Sequence, residues 1–219
     1  MRTFAVIGLS SFGFFLCKAL SERGLSVLAI DSDESKIDDV KQIVDKAVIA
    51  DATDKDILIS LGVNNIDVVI VSLGDRLDAS ILVTHYLREL EVKEIVAKAI
   101  SEDHGKLLNI VGATMVIFPE KDMAERLAKI LQQSSMIDYF DVAPGYSVVE
   151  IAAPNAFLGK SLQELDLRNR YDVQVIMIKE VVPENIIAVP RASHIIKDSD
   201  VLVLFGKDED IAVIQRLSE

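Results

Sequence analysis

The chain has 219 residues, half of them apolar, with 35 acidic against 23 basic side chains and a formal charge of −12. That balance argues against a nucleic-acid partner, because neutralising a phosphate backbone needs a basic surface. No uncharged apolar run approaches the ~18–20 residues of a membrane span, and the single cysteine, Cys17, excludes intrachain disulfides and CxxC-type metal sites.

The first apolar run, Thr3–Ile7, is too short for a signal-peptide core and meets a glycine turn at once, so it reads as a strand. The turn Gly8-Leu9-Ser10-Ser11-Phe12-Gly13 leads into a helical pattern, Phe12–Arg23, that stops at Gly24. A second run, Ser26–Ile30, follows and ends in Asp31-Ser32-Asp33. This order is the dinucleotide-binding βαβ fingerprint, with an acid 23 residues after its first glycine. Gly8 permits the sharp turn, Gly13 lets the helix lie close to the strand, and the free N–H groups at the helix start form an anion site. The middle glycine is replaced by Ser10, whose Cβ and hydroxyl either crowd a phosphate or donate to it. Asp31 is placed for a ribose hydroxyl, and with Asp33 it repels a 2′-phosphate, so NADP is not expected. Capping of the next helix by Asp31, Ser32 or Asp33 is the alternative.

Four more short apolar runs, Ala47–Ile49, Val68–Ser72, Glu94–Lys98 and Met115–Phe118, alternate with helical patterns such as Asp54–Leu61 and Leu77–Leu90. The runs are nearly continuous in Val, Ile and Ala, which suits strands covered on both faces. The expected fold class is α/β, a Rossmann-like doubly wound parallel sheet. Its ligand crevice lies at the strand-to-helix corners. There Asp51-Ala52-Thr53 and Ser72-Leu73-Gly74 leave room for an adenine or a second ribose, or simply make tight turns. Lys98 ends the fifth strand, where it reaches a phosphate or snorkels to solvent.

The pattern changes after Pro119. Lys121–Gln133 is a helix with Met123, Leu127, Ile130 and Leu131 on one face, and Ser134–Ser147, holding Pro144-Gly145, reads as a connecting segment. Short strands follow at Val148–Ala152, Val173–Lys179, Ile186–Val189 and Val201–Phe205, then a terminal helix at Glu209–Leu217. The expected organisation is a nucleotide-binding domain over 1–137, a linker over 138–145 and a small α+β domain over 146–219.

No catalytic set emerges. The serines of the glycine turn fail the GxSxG elbow because position 12 is Phe. His85, His104 and His194 stand apart without metal-ligand spacing. Met115, Met123, Met136 and Met177 are scattered and read as core, and Cys17 as a small packing residue. A small NAD-dependent oxidoreductase is the enzyme alternative; it lacks an acid–base partner, and the second domain is too small for a substrate pocket. A metabolite-sensing or structural dimer is a third reading.

Taken together, Thr3–Gly13 (TFAVIGLSSFG), Val27–Asp33 (VLAIDSD), Ala47–Thr53 (AVIADAT), Val68–Gly74 (VVIVSLG), Lys98-Ala99 and Pro119–Met123 (PEKDM) resemble the regulatory subunits of Ktr/Trk potassium-uptake systems. These are built from an RCK (TrkA-N) domain followed by a TrkA-C domain, and Gly159–Arg168 and Ser199–Gly206 resemble the signatures of the latter. The resemblance implies a cytoplasmic protein without enzymatic turnover, peripheral to the inner face of the membrane. There it would form a ring, a tetramer of dimers, on a potassium-translocating subunit, and gate it by changing shape with the bound nucleotide. The ligand it implies is an adenine nucleotide: ATP, ADP, AMP or NAD(H). The phosphates would sit on Gly8–Gly13 (including Leu9, Ser10, Ser11 and Phe12), the ribose on Asp31 and Asp33, and the adenine between Asp51–Thr53 and Ser72–Gly74. Lys98 would approach the phosphate tail. Glu120 matches a family glutamate near a γ-phosphate and a divalent cation, Mg or Ca, at the dimer interface. The helix from Lys121 would be the subunit interface. At Ser10-Ser11 the chain departs from the family's usual glycine and arginine, which weakens the case for a γ-phosphate. Some TrkA-C domains bind cyclic di-AMP, a role that would fall near Leu167, Arg168 and Asn169.

Overall fold

The computed structural model describes residues 2–132 and 136–218. The chain divides into two compact units after Lys121.

The first unit alternates strands and helices without a break: β1 (Thr3–Ile7), α1 (Ser11–Ser21), β2 (Ser26–Asp31), α2 (Glu34–Val40), β3 (Lys46–Ile49), α3 (Lys55–Ser60), β4 (Val68–Val71), α4 (Leu77–Glu89), β5 (Glu94–Lys98), α5 (Glu102–Val111) and β6 (Met115–Ile117). All six strands are parallel, in the order β3-β2-β1-β4-β5-β6. Period-two alternation sends Ala5, Ile7, Leu28, Ile30, Val69 and Val71 to one face, and Val6, Val27, Ala29, Val68 and Ile70 to the other. Both faces are packed against helices, which explains why these strands read as continuous apolar runs. Fully burying each such Val, Leu or Ile contributes about 1.5–3 kcal/mol.

α6 (Pro119–Leu131) starts two residues after β6. Met123, Leu127 and Leu131 of its expected apolar face are exposed, whereas Ile130 packs against the core of the second unit. That unit holds β7 (Met136–Ala143), β8 (Tyr146–Ala152), α7 (Leu162–Leu165), α8 (Leu167–Tyr171), β9 (Gln174–Glu180), β10 (Asn185–Ile187), β11 (Asp200–Lys207) and α9 (Asp208–Gln215). Its antiparallel sheet runs β10-β9-β11-β8-β7. No described helix is long and apolar enough to cross a membrane.

The linker expected over 138–145 is corrected here. These residues form most of β7 and the turn into β8, with Tyr139 paired to Val149 and Ala143 to Tyr146. Pro144-Gly145, which gave the stretch its linker reading, is the turn between β7 and β8, and two acids, Asp138 and Asp141, stand on the strand before it. On the edge strand both are neutralised from α6: Arg126 bonds Asp138 at 2.6 Å, and Lys129 bonds Asp141 at 3.0 Å. The Arg126 guanidinium also lies 4.4 Å from the Phe140 ring centroid, and the Lys129 ammonium 4.2 Å from that of Tyr139. The expected helix end at Gln133 and the linker start at Ser134 lie outside the described residues.

Candidate nucleotide cleft

The strand order reverses direction between β1 and β4, and in open α/β sheets ligands bind where that happens. A cleft of about 440 Å³ opens there, at the carboxyl ends of β1 to β4.

The glycine turn is built by close backbone approach. Gly8 has φ +92°, and its N–H donates to the Ile30 carbonyl at 2.8 Å. A Cβ on Gly8 would lie 2.4 Å from the Ser72 carbonyl oxygen. One on Gly13 would lie 2.1 Å from the Gly8 carbonyl oxygen. Both glycines are therefore required by the β1–α1 geometry itself.

Asp31 braces this turn. Its Oδ2 accepts from the Leu9 N–H at 2.6 Å, its Oδ1 accepts from the Asp33 N–H at 2.9 Å, and Lys36 Nζ lies 3.6 Å from Oδ2. Asp31 is buried, yet it lines the cleft. The capping role falls to Asp33, whose Oδ1 accepts from the Ser35 hydroxyl at 2.7 Å and the Ser35 N–H at 2.9 Å. Those two bonds, the hydroxyl first, hold the Asp33 carboxyl below its ordinary range.

Ser10 occupies the N-cap position of α1 but makes no capping bond. Its hydroxyl lies 2.9 Å from the Ser72 hydroxyl instead. The first bond back along α1 is from the Phe14 N–H to the Ser10 carbonyl at 2.9 Å, so the N–H groups of Ser11, Phe12 and Gly13 precede it. An uncapped helix start beside a cleft is an anion-binding arrangement.

The remaining corners complete the lining. Asp51 Oδ1 accepts from the Thr53 hydroxyl at 2.7 Å and the Thr53 N–H at 3.0 Å. The Thr53 N–H and then its hydroxyl hold the Asp51 carboxyl below its ordinary range, with a smaller contribution from Arg76. Ser32, Ala52, Leu73 and Gly74 face the same space.

Six of the expected residues are not in the lining of this cleft. Leu9 is buried core, Gly13 lies beneath Gly8, Phe12 packs on the core and Ser11 is exposed. Lys98 and Glu120 line a neighbouring cavity of about 430 Å³, to which Asp75 also contributes. The Lys98 side chain is buried and ion-paired with Glu120, and its Nζ lies 6.0 Å from the Phe12 ring centroid. The Lys98 hydrogen bond is the main reason that the Glu120 carboxyl sits below its ordinary range. Among the described residues no group of three or more His, Cys, Asp or Glu comes together to hold a metal.

Sequence reasoning missed Lys36 and Arg76, which line the cleft from the first turn of α2 and the start of α4. Each follows an acidic corner by a few residues, which is the only signal either offered. His104 is buried, its Nε2 2.8 Å from the Ser80 hydroxyl, and burial lowers its pKa. It belongs to the α4–α5 packing rather than to the cleft.

Family models match almost the whole chain, the TrkA-N domain over residues 4–119 and the TrkA-C domain over residues 147–218. The Ktr system potassium uptake protein C of Bacillus subtilis is 40% identical over 215 residues, covering 98% of this chain and 96% of that protein. The chain belongs to the Ktr/Trk potassium-uptake family. The Ktr system potassium uptake protein A of Bacillus subtilis is 38% identical, with 96% and 94% covered. Among solved structures, the GsuK RCK domain superposes with a TM-score of 0.68 at 20% identity, covering 99% of this chain and 47% of that one. The GsuK channel bound to NAD gives 0.67 at 20% identity, with 100% and 39% covered. This Ktr/Trk chain thus spans less than half of either GsuK chain, and at such identity the likeness establishes the fold. The Kef C-terminal domain of Shewanella denitrificans in its AMP-bound form gives 0.51 at 22% identity, with 61% and 84% covered.

Proposed function

We propose that this chain is the cytoplasmic, nucleotide-binding regulatory subunit of a Ktr/Trk-type potassium uptake system, and that it gates its membrane partner by binding rather than by turnover. Family membership over nearly the full chain is the observation that carries the reading. The cleft supplies its physical content. A glycine turn too tight for any side chain, an uncapped helix start and a buried ribose-side carboxylate surround one space at the switch point.

An adenine nucleotide fits that chemistry, and likeness to an NAD-bound and an AMP-bound protein supports the class. Phosphate would rest on the α1 N-terminus, ribose hydroxyls on the open lone pairs of Asp31, and the base near Ala52 and Leu73. Lys98 and Glu120, in the adjoining cavity, would meet a longer phosphate tail or a Mg or Ca ion it carries. A second copy would cover Met123, Leu127 and Leu131 on α6, and the ring assembly builds on that dimer. In the second unit, Arg168 and Asn169 line a separate cavity of about 390 Å³, the place for cyclic di-AMP in this reading. Regulation follows if two ring conformations differ in their affinity for the nucleotide, because a ligand shifts an equilibrium only by that difference.

The test is calorimetric titration of the purified chain with ATP, ADP, AMP and NAD(H), followed by rubidium flux into vesicles holding the co-purifying transporter. Saturable binding and nucleotide-dependent flux are expected, with constant NADH absorbance in the presence of hydroxy acids or aldehydes. Absence of heat for all of these nucleotides at high micromolar concentration would sink the ligand-gated reading.

A further inference from the structure

The nucleotide cleft is poor in positive charge. Among the described residues its lining carries four carboxylates, Asp31, Asp33, Asp51 and Asp75, against two cations, Lys36 and Arg76. Lys36 lies 3.6 Å from Asp31 and is committed to that carboxylate. The Arg76 side chain makes no hydrogen bond or close ion pair among the described residues, and its charge acts only weakly on the Asp51 carboxyl across the lining.

Its place in the chain is also unfavourable for the fold. Arg76 stands at the N-cap position of α4 and makes no capping bond. Small polar side chains are preferred there because they serve the free N–H groups, and a cation faces the positive end of the helix dipole. Aspartate, asparagine or serine would stabilise α4 better, so local structure gives no reason for arginine. Its place in the lining of the cleft does give one.

Across the crevice, the start of α1 offers only neutral N–H groups. These suffice for one phosphate, since backbone donors and a helix dipole favour an anion. A second anionic phosphate would enter a space where acids outnumber bases, and Arg76 is the cation of this lining that no ion pair within 4 Å engages among the described residues. A guanidinium suits the task, because its planar fork pairs with two phosphate oxygens at once.

We propose that Arg76 reads the phosphate charge of the ligand: it pairs with the phosphate beyond the first, and so sets how far this acidic cleft accepts a diphosphate over a monophosphate. The inference rests on the nucleotide-binding reading above, and the experiment separates the two. The full chain is titrated calorimetrically with AMP and with ADP at fixed ionic strength, as wild type, Arg76→Gln and Arg76→Lys.

Arg76→Gln should weaken ADP by about tenfold or more and leave AMP within about twofold, the loss expected for one charge-assisted hydrogen bond. Arg76→Lys should recover part of the ADP affinity, because it restores the charge without the fork. Added KCl should erode the ADP preference of the wild type and not that of Arg76→Gln. The thermal midpoint of Arg76→Gln should equal or exceed that of the wild type, which separates the effect from misfolding. If ADP and AMP change by the same factor, or neither changes, Arg76 is a solvated surface residue and the inference falls. If the wild type binds neither nucleotide, the cleft reading falls with it.

Discussion

Replacing Gly13 with alanine perturbs the closest main-chain approach beneath the cleft. The new Cβ would lie 2.1 Å from the Gly8 carbonyl oxygen and 3.5 Å from a Val6 methyl. Carbon and oxygen settle no closer than about 3.3 Å, so the start of α1 must lift from β1 by about 1 Å. The obstacle cannot rotate away, because Gly8 is held to Ile30 at 2.8 Å and Leu9 to Asp31 at 2.6 Å. Overpacking costs about 1–3 kcal/mol when side chains can yield, and the upper end applies where backbone is struck. Alanine returns about 1 kcal/mol of helix propensity. The net is a loss of about 2 kcal/mol, or a midpoint lower by about 4–8 °C.

Nucleotide affinity should suffer more, since a 1 Å displacement of positioned groups can cost on the order of a hundredfold. Gly24→Ala, outside the cleft lining, is the control. Its φ of +71° carries strain, but no atom lies within 4 Å of the added Cβ, so about 1 kcal/mol is expected. Thermal unfolding by circular dichroism and calorimetric titration of both variants measure these effects. A Gly13→Ala protein that melts at or above the wild type and binds nucleotide equally well would refute the reasoning.

Asp31→Ala should cost about 2–4 kcal/mol in urea unfolding, because the Leu9 and Asp33 N–H groups lose a charged acceptor in a buried place. A loss under about 1 kcal/mol would mean that the turn holds itself. Glu120 should shape the acid limb of stability. Lys98 holds its carboxyl below the ordinary range, so its contribution is complete above the unfolded carboxylate value of about 4.3 and fades as pH falls through the lower folded value. Between about pH 5 and 3 the Glu120→Gln protein should therefore lose less stability than the wild type. Equal slopes would show the pair to be silent. On α6, Leu127→Glu should shift the protein from dimer or higher assembly to monomer in light scattering, since it puts a charge on an exposed apolar face. An unchanged mass would move the interface elsewhere.

The first unit was legible because its signals are local. The first four corners announce themselves by a glycine or an acid (Gly8, Asp31, Asp51, Gly74) after a β-branched run, and parallel strands buried on both faces leave little ambiguity of type. β7 was not legible, since Pro144-Gly145 reads as a break, and the bonds from Arg126 to Asp138 and from Lys129 to Asp141 that tie the strand to α6 have no local signal. The cleft was half legible. Gly8, Ser10, Asp31, Asp51 and Ser72 follow from the fingerprint and the strand ends. Lys36 and Arg76 do not, because a basic residue near a helix start reads as solvated until the topology brings four corners together. Lys98 and Glu120 show the converse: five strands of topology place them in the adjoining cavity, a distinction that residue type cannot make.

The Ser10 hydroxyl turns to Ser72 and leaves α1 without a cap of its own. In effect the helix is one residue short, and a bound phosphate would finish it. Part of the binding energy would then appear as secondary structure, in the first turn of α1 and nowhere else in that helix. The amide protons of Ser11, Phe12 and Gly13 thereby become a built-in reporter. Their exchange with deuterium should slow when the seat is filled and quicken when it empties, before any larger rearrangement is measured.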